Sequence, residues 1–215
     1  MPGVASTLLN VRYLTDSYDL RFGFRRRDRA DIVRTFTQTQ TMQLILSSQQ
    51  FQHTIRLLAR QIATQHPRTD DWILVGIQQG GVALADELIK VLSAEYGNAV
   101  IPYGQLDITF YRDDIRQKIL APDEMHLPFS IEGKTILLVD DVLFTGRTIK
   151  AALDALLDYG RPAKVELCVL IDRKEHRQFP IQADFVGATL PTDKTDKVKL
   201  VTGASGQKEV VLIQA

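Results

Sequence analysis

The sequence predicts an α/β domain, a parallel sheet flanked by helices with a small hood and C-terminal antiparallel strands. Three observations carry this. Trp72-Ile73-Leu74-Val75, Ile136-Leu137-Leu138-Val139 and the stretch from Val165 to Ile171 are short, mostly apolar runs without alternation, the pattern of strands buried on both faces. Helical periodicity lies between the runs, and strands alternating with helices argue for parallel pairing. The last two strand-like segments, Lys197 to Val201 and Val210 to Ile213, are joined by a glycine-containing turn, which favours an antiparallel pair.

Taken in order, residues 1–41 read as an N-terminal extension outside the main domain, with Arg25-Arg26-Arg27, Arg29 and Arg34 but little sustained periodicity. Such a stretch is a mobile, solvated tail; a basic arm holding RNA is the alternative, and a translation start at Met42 is a third reading. The first helix begins near Ser47 or Ser48, because Ser47 and Gln50 have capping-box spacing. Phe51, Ile55, Leu58 and Ile62 share one face and Pro67 ends the segment. After the strand at Trp72 comes the turn Gln78-Gln79-Gly80-Gly81, and Val82, Ala85, Ile89 and Leu92 mark a second helix. Leu106, Ile108 and Phe110 alternate, as in a half-exposed strand. From Asp113 to Ile131 the chain is polar and broken by Pro122 and Pro128, the mark of a functional lid or a disordered segment. Ile149, Ala152, Leu153, Leu156 and Leu157 form the stripe of a third helix, stopped by Gly160 and Pro162.

Composition narrows the functional classes. The chain has 215 residues, 45% hydrophobic and 24% charged, so it builds a packed core without special staples. Lys+Arg and Asp+Glu both number 26, so nucleic acid is not attracted by overall charge and any RNA contact needs a local patch. The one cysteine, Cys168, lies in an apolar run and reads as a buried small hydrophobe in a reducing, cytoplasmic setting. No apolar run approaches membrane-spanning length, so no membrane partner is expected. His53, His66 and His126 have no metal-ligand spacing.

The chemistry concentrates between Ile136 and Thr148. Four apolar residues lead into Asp140 and Asp141; Val142, Leu143 and Phe144 follow, and then Thr145-Gly146-Arg147-Thr148 opens a helical pattern. A loop leaving the carboxyl end of a buried parallel strand is where open α/β sheets bind ligands. Hydroxyls and closely spaced backbone N–H groups at a helix start form an anion site. Adjacent carboxylates accept hydrogen bonds from sugar hydroxyls and attract a cation. A phosphorylated sugar needs all of these. The Gln78 to Gly80 turn repeats the strand–glycine turn–helix layout, as a plain tight turn also would.

The run from Val139 to Thr148 resembles the phosphoribosyl-pyrophosphate signature of the type I phosphoribosyltransferases. Its wording is similar to the branch of pyrimidine operon regulators that are also uracil phosphoribosyltransferases. The string Asp107 to Asp114 and the segment Phe179 to Thr192 resemble the same branch, and together the three extend the likeness over about four-fifths of the chain. The resemblance implies transfer of ribose 5-phosphate from phosphoribosyl pyrophosphate to uracil, giving UMP and pyrophosphate, with Mg²⁺ held mainly by substrate and no dedicated protein metal site. It implies that Asp140 and Asp141 hold the ribose hydroxyls and that Thr145 to Thr148 bind the 5-phosphate, with Val139, Val142, Leu143 and Phe144 completing that loop. Gln78, Gln79 and Gly80 cradle pyrophosphate, and Arg112 on a closing loop neutralises the leaving group. Residues 172–192 form a hood, within a domain spanning 42–215, that holds the base through Arg173 and Leu190. It further implies a homodimer or larger homo-oligomer whose basic face binds an mRNA hairpin through Arg60, Arg173 and Arg177.

Departures from that branch matter. A basic residue, Thr and Arg are expected where Gln78, Gln79 and Gly80 stand. Losing that arginine removes a charge-assisted contact to pyrophosphate of about 1.5–3 kcal/mol, so weak transferase activity is expected. Ala188 replaces a lysine and Arg60 a histidine, which weakens the case for RNA. Two rivals stay open: a non-catalytic, nucleotide-sensing RNA-binding regulator, and a purine phosphoribosyltransferase.

Overall fold

The computed structural model describes residues 41–111 and 127–214. The expectations for the N-terminal extension up to residue 40, for Arg112 and for the loop interior lie outside the described residues.

Five parallel strands form the main sheet: β2 (Trp72–Ile77), β3 (Tyr103–Leu106), β4 (Thr135–Leu143), β5 (Lys164–Asp172) and β6 (Phe185–Thr189). Their spatial order is β3-β2-β4-β5-β6. From β2 the chain steps outward to β3 and then crosses back to β4, so the strand order reverses between β2 and β4. Ligands bind at such a reversal, outside the carboxyl ends of the strands. Both candidate loops, after β2 and after β4, flank it.

Helices cover both faces, as expected. The helix α1 (Ser48–Gln65) starts at the anticipated capping box: Ser47 Oγ accepts from the Gln50 amide at 3.4 Å, and Gln50 Oε1 accepts from the Ser47 amide at 2.9 Å. Its Phe51, Ile55, Leu58 and Ile62 are buried with Leu84, Ala85, Leu88 and Leu92 of α2 (Gly80–Glu95) against Leu137, Val139, Cys168 and Leu170 of the sheet. On the other face, Ile149, Ala152, Ala155 and Leu156 of α3 (Arg147–Tyr159) pack on Ile136, Leu138, Leu167 and Val169. Adjacent residues of β4 and β5 thus point into different cores, which is why their sequences are apolar without alternation. Cys168 is buried as expected, and burial pushes its thiol up to about 12.

A second sheet is antiparallel and three-stranded, in the order β1-β8-β7, made from β1 (Thr41–Leu46), β7 (Lys197–Thr202) and β8 (Lys208–Gln214). The C-terminal pair was legible; β1 was not. Its residues are mostly exposed, so no burial pattern marks it, and its pairing with β8 is entirely non-local.

Three expectations need correction. The strand anticipated through Phe110 ends at Leu106, because Asp107 Oδ1 accepts from the amide and hydroxyl of Thr109 at 2.8 and 2.6 Å and turns the chain into a 3₁₀ turn. Leu157 is 63% exposed, and Ala151 and Ala155 stand in the buried stripe of α3 instead. Within the expected hood, 172–192, Phe185–Thr189 is the edge strand of the main sheet beside β5.

Candidate active site

The four apolar residues of β4 carry Asp140 and Asp141 to the carboxyl rim of the sheet. Asp140 is only 6% exposed and one of its oxygens accepts from the Asp141 amide at 3.0 Å. With residues 142–149 it lines a cavity of about 290 Å³. Asp141 is turned the other way. Burial pushes its carboxyl above the usual range, and its contact with Asp140 and the backbone of Val142 and Leu200 offset this only in part. A half-buried acid beside a second acid is suited to meet hydroxyl donors or positive charge.

The 144–148 loop closes the cavity. Gly146 adopts φ +88°, a left-handed conformation that favours glycine, and a side chain there would also crowd Ile181 Cδ1 at 3.2 Å. This turn starts α3 with its first amides directed to the loop; Thr145 Oγ1 accepts from the Arg147 amide at 3.4 Å. The Arg147 side chain leans outward, donating to Gln178 at 2.9 Å beside the Phe179 ring. Segment 173–179 braces the loop from behind: Arg173 N donates to Leu143 O at 2.9 Å and Gln178 N to Thr145 O at 2.9 Å.

The turn after β2 faces the same reversal point, with a cis peptide between Gln78 and Gln79. Gly80 lies against Asp141: a Cβ there would sit 2.5 Å from Oδ1 and closer still to Cγ. Position 80 is thus a glycine with Asp141 filling the space of its missing side chain, and an arginine there would have to displace that carboxylate.

Phosphoribosyl transferase domains match the chain over residues 42–202. Proteins named "Bifunctional protein PyrR" are 45% identical over 175 residues in Actinobacillus pleuropneumoniae, covering 80% of this chain and 97% of theirs. One from Picosynechococcus is 46% identical, covering 79% and 96%. The chain belongs to the phosphoribosyltransferase family. Among solved structures, the hypoxanthine phosphoribosyl transferase of Trypanosoma cruzi superimposes with a TM-score of 0.61 at 20% identity, covering 80% of this chain and 91% of that one. A hypoxanthine-guanine phosphoribosyltransferase of Bacillus anthracis gives 0.58 at 19%, covering 80% and 97%. At such identity these two show the shared phosphoribosyltransferase fold.

Within this phosphoribosyltransferase, the structure brings together Asp140, Asp141, 142–148 and 78–80 around the strand reversal. Leu190 lies elsewhere, lining a second cavity of about 490 Å³ with Gln43, Ile45, Leu212 and the 191–193 loop. Arg173 departs from its expected base and RNA roles. It is 3% exposed, its guanidinium 3.9 Å from the Phe144 ring centroid, donating to Thr192 Oγ1 at 2.7 Å and Asp193 O at 2.8 Å. Burial lowers its pKa, opposed by Asp196 and Glu175. Arg177 is likewise committed, donating to Phe144 O and the Asp172 carboxylate. Arg60 remains at the surface, 68% exposed beside Glu95 at 3.6 Å. Sequence reasoning missed Thr192 and His176 as structural partners of this site; basic and hydroxyl residues in a loop carry no periodicity that would announce burial.

The donor chemistry of the rim carboxylates fits Mg²⁺. Among the described residues no group of three or more potential ligands forms a metal cage, while the paired rim carboxylates suit an ion coordinated largely by phosphate oxygens and water. Among the described residues, no helix is long and apolar enough to cross a membrane.

Proposed function

We propose that this chain transfers ribose 5-phosphate from phosphoribosyl pyrophosphate to N1 of uracil, forming UMP and releasing pyrophosphate. The observation that carries the proposal is the acid pair, Asp140 buried and Asp141 half-buried, together with the 144–148 loop at the strand reversal, in a family member about 45% identical to PyrR proteins. The N1–C1′ bond forms as the C1′–O bond to pyrophosphate breaks, the N1 proton of uracil passing to the departing pyrophosphate or to solvent, and positive character grows on the ribose between them. Thr145 to Thr148 would anchor the 5-phosphate through hydroxyls and backbone amides. Asp140 would accept from the ribose hydroxyls and place negative charge beside the developing cation. Asp141 would support the same region from the side of Gly80. Gln78 to Gly80 would receive pyrophosphate through backbone amides, and Arg112 would neutralise it as the loop closes. Mg²⁺, when bound with substrate, supplies further charge neutralisation.

Without an arginine at position 80 the leaving group lacks one charged partner. A deficit of about 1.5–3 kcal/mol predicts turnover roughly ten- to a hundredfold below a relative that has it. Product analysis with phosphoribosyl pyrophosphate, Mg²⁺ and a panel of free bases tests the reading. UMP formation is expected; turnover of hypoxanthine or guanine instead would overturn it. The Gly80 position specifically favours a second reading, a nucleotide-sensing regulator without catalysis, which predicts UMP binding with no product from any base.

UMP-responsive binding of an mRNA hairpin by a homo-oligomer belongs to the same proposal. Its support is narrower than the sequence implied, since Arg173 and Arg177 are folded into the site's scaffold and Arg60 is the exposed member of the set.

A further inference from the structure

Two cavities flank one small cluster. Phe144 lines the phosphate cavity, whereas Thr192 and Asp193 line the larger cavity beside Leu190. Arg173 spans the two, its guanidinium 3.9 Å from the Phe144 ring centroid, with hydrogen bonds to Thr192 Oγ1 at 2.7 Å and Asp193 O at 2.8 Å. His176 repeats the link: its ring meets Phe144 edge-on at 5.3 Å, and Nε2 lies 2.7 Å from Thr192 O. Arg177 fixes the same loop by donating to Phe144 O. Phe144 therefore has its ring and its carbonyl held by residues that follow β5.

We infer that Arg173 is a positioning residue that couples the phosphate loop to the 190–193 loop through Phe144, so that the grip on the 5-phosphate depends on contacts made outside the phosphate cavity. Three physical points support this. The guanidinium is nearly fully buried, where stacking on an aromatic face and hydrogen bonding are strengthened by low polarity. Its planar fork serves ring, hydroxyl and carbonyl at once, which a lysine ammonium does not. Thr145, directly after Phe144, accepts backbone hydrogen bonds from Gln178 and Phe179, so a shift of Phe144 moves the loop that meets phosphate. The inference rests on the assignment of that loop to the 5-phosphate under the proposed function.

The test is placed at the far end of the link. Thr192→Val removes the hydroxyl that receives Arg173, and Thr192→Ser retains it. In the full chain, calorimetric binding of UMP and of inorganic phosphate is compared among wild type, both Thr192 variants, Phe144→Leu and the Phe144→Leu/Thr192→Val double variant, below their melting temperatures. Thr192→Val is expected to weaken both ligands roughly five- to tenfold, with Thr192→Ser near wild type. Phe144→Leu is expected to weaken them similarly, and the double variant no more than the worse single one. Unchanged phosphate and UMP affinity in folded Thr192→Val, or losses that multiply in the double variant, would overturn the coupling. Failure of the parent assignment reads differently: wild type itself would then bind neither UMP nor phosphate.

Discussion

Adding a single methyl group at position 80 interrogates the contact between the two candidate loops. In Gly80→Ala the new carbon would lie 2.5 Å from Asp141 Oδ1 and closer to Cγ, separations that real side chains do not reach. Asp141 is short and sits on a strand, so its carboxylate must rotate, at the expense of the backbone contacts that now help to offset its burial. Losing a hydrogen bond to a charged group costs about 1.5–3 kcal/mol. Alanine returns up to about 0.5–1 kcal/mol over glycine in a helix, and least at a first helical residue such as this. A net loss of about 1–2 kcal/mol lowers the melting temperature by roughly 2–8 °C in a chain of this size. The assay is urea and thermal unfolding of wild type, Gly80→Ala, Asp141→Ala and the double variant. Asp141→Ala removes the clashing atoms, so Gly80→Ala becomes neutral or mildly stabilising in that background, a coupling of about 1–2 kcal/mol. An equal cost of Gly80→Ala in both backgrounds, or none with Asp141 present, refutes the argument.

Asp140→Asn keeps the shape of the residue lining the phosphate cavity and removes its charge; kcat/KM for UMP formation is expected to fall tens- to a hundredfold, and an unchanged value in steady-state assays counts against its role. Glu166 is held below its ordinary value of 4.5: burial pushes it up, but hydrogen bonds from Lys164 and His66 outweigh this. Its stabilising contribution is complete above that ordinary value and is lost as pH falls through the lower folded one; Glu166→Gln should flatten the acid limb of a stability–pH profile, and an unaltered limb contradicts the assignment. The Cys168 thiol, buried and pushed up to about 12, should resist a thiol reagent at pH 8 until the chain unfolds, as native and denatured titrations will show. Arg60→Ala should weaken binding of an RNA hairpin and reduce the slope of log affinity against log salt by about one unit; a salt slope identical to wild type removes Arg60 from the interface.

How far each part of the molecule was legible follows from the range of the interactions that build it. Ser47 and Gln50 cap a helix three residues apart, and Ile136 to Val139 are apolar because both faces of one strand are covered; such signals are local and survive in the sequence. The acid pair and the Thr145 to Thr148 turn are equally local, since the strand before them and the helix after them fix their place. The strand β1 escapes because it pairs with β8 at the opposite end of the chain. Arg173 and Arg177 read as surface charge because basic residues in a polar segment usually are. They are buried here because Phe144, the Thr192–Asp193 pair and Asp172 come from three different stretches and satisfy them together.

That last burial changes what the altered residues mean. Read in sequence, Ala188 and Gly80 are two separate losses of positive charge, one from a face for RNA and one from a loop for pyrophosphate. In the structure Arg173 and Arg177 are spent on holding Phe144, Arg147 leans outward to Gln178, and the space at position 80 holds a carboxylate. Under the proposed function, position 80 therefore offers no positive charge to the leaving group, while Arg173 and Arg177 order the scaffold. The expected outcome is that product accumulates slowly while UMP binds well. Weak UMP affinity together with vigorous turnover would run against this ordering of the charges.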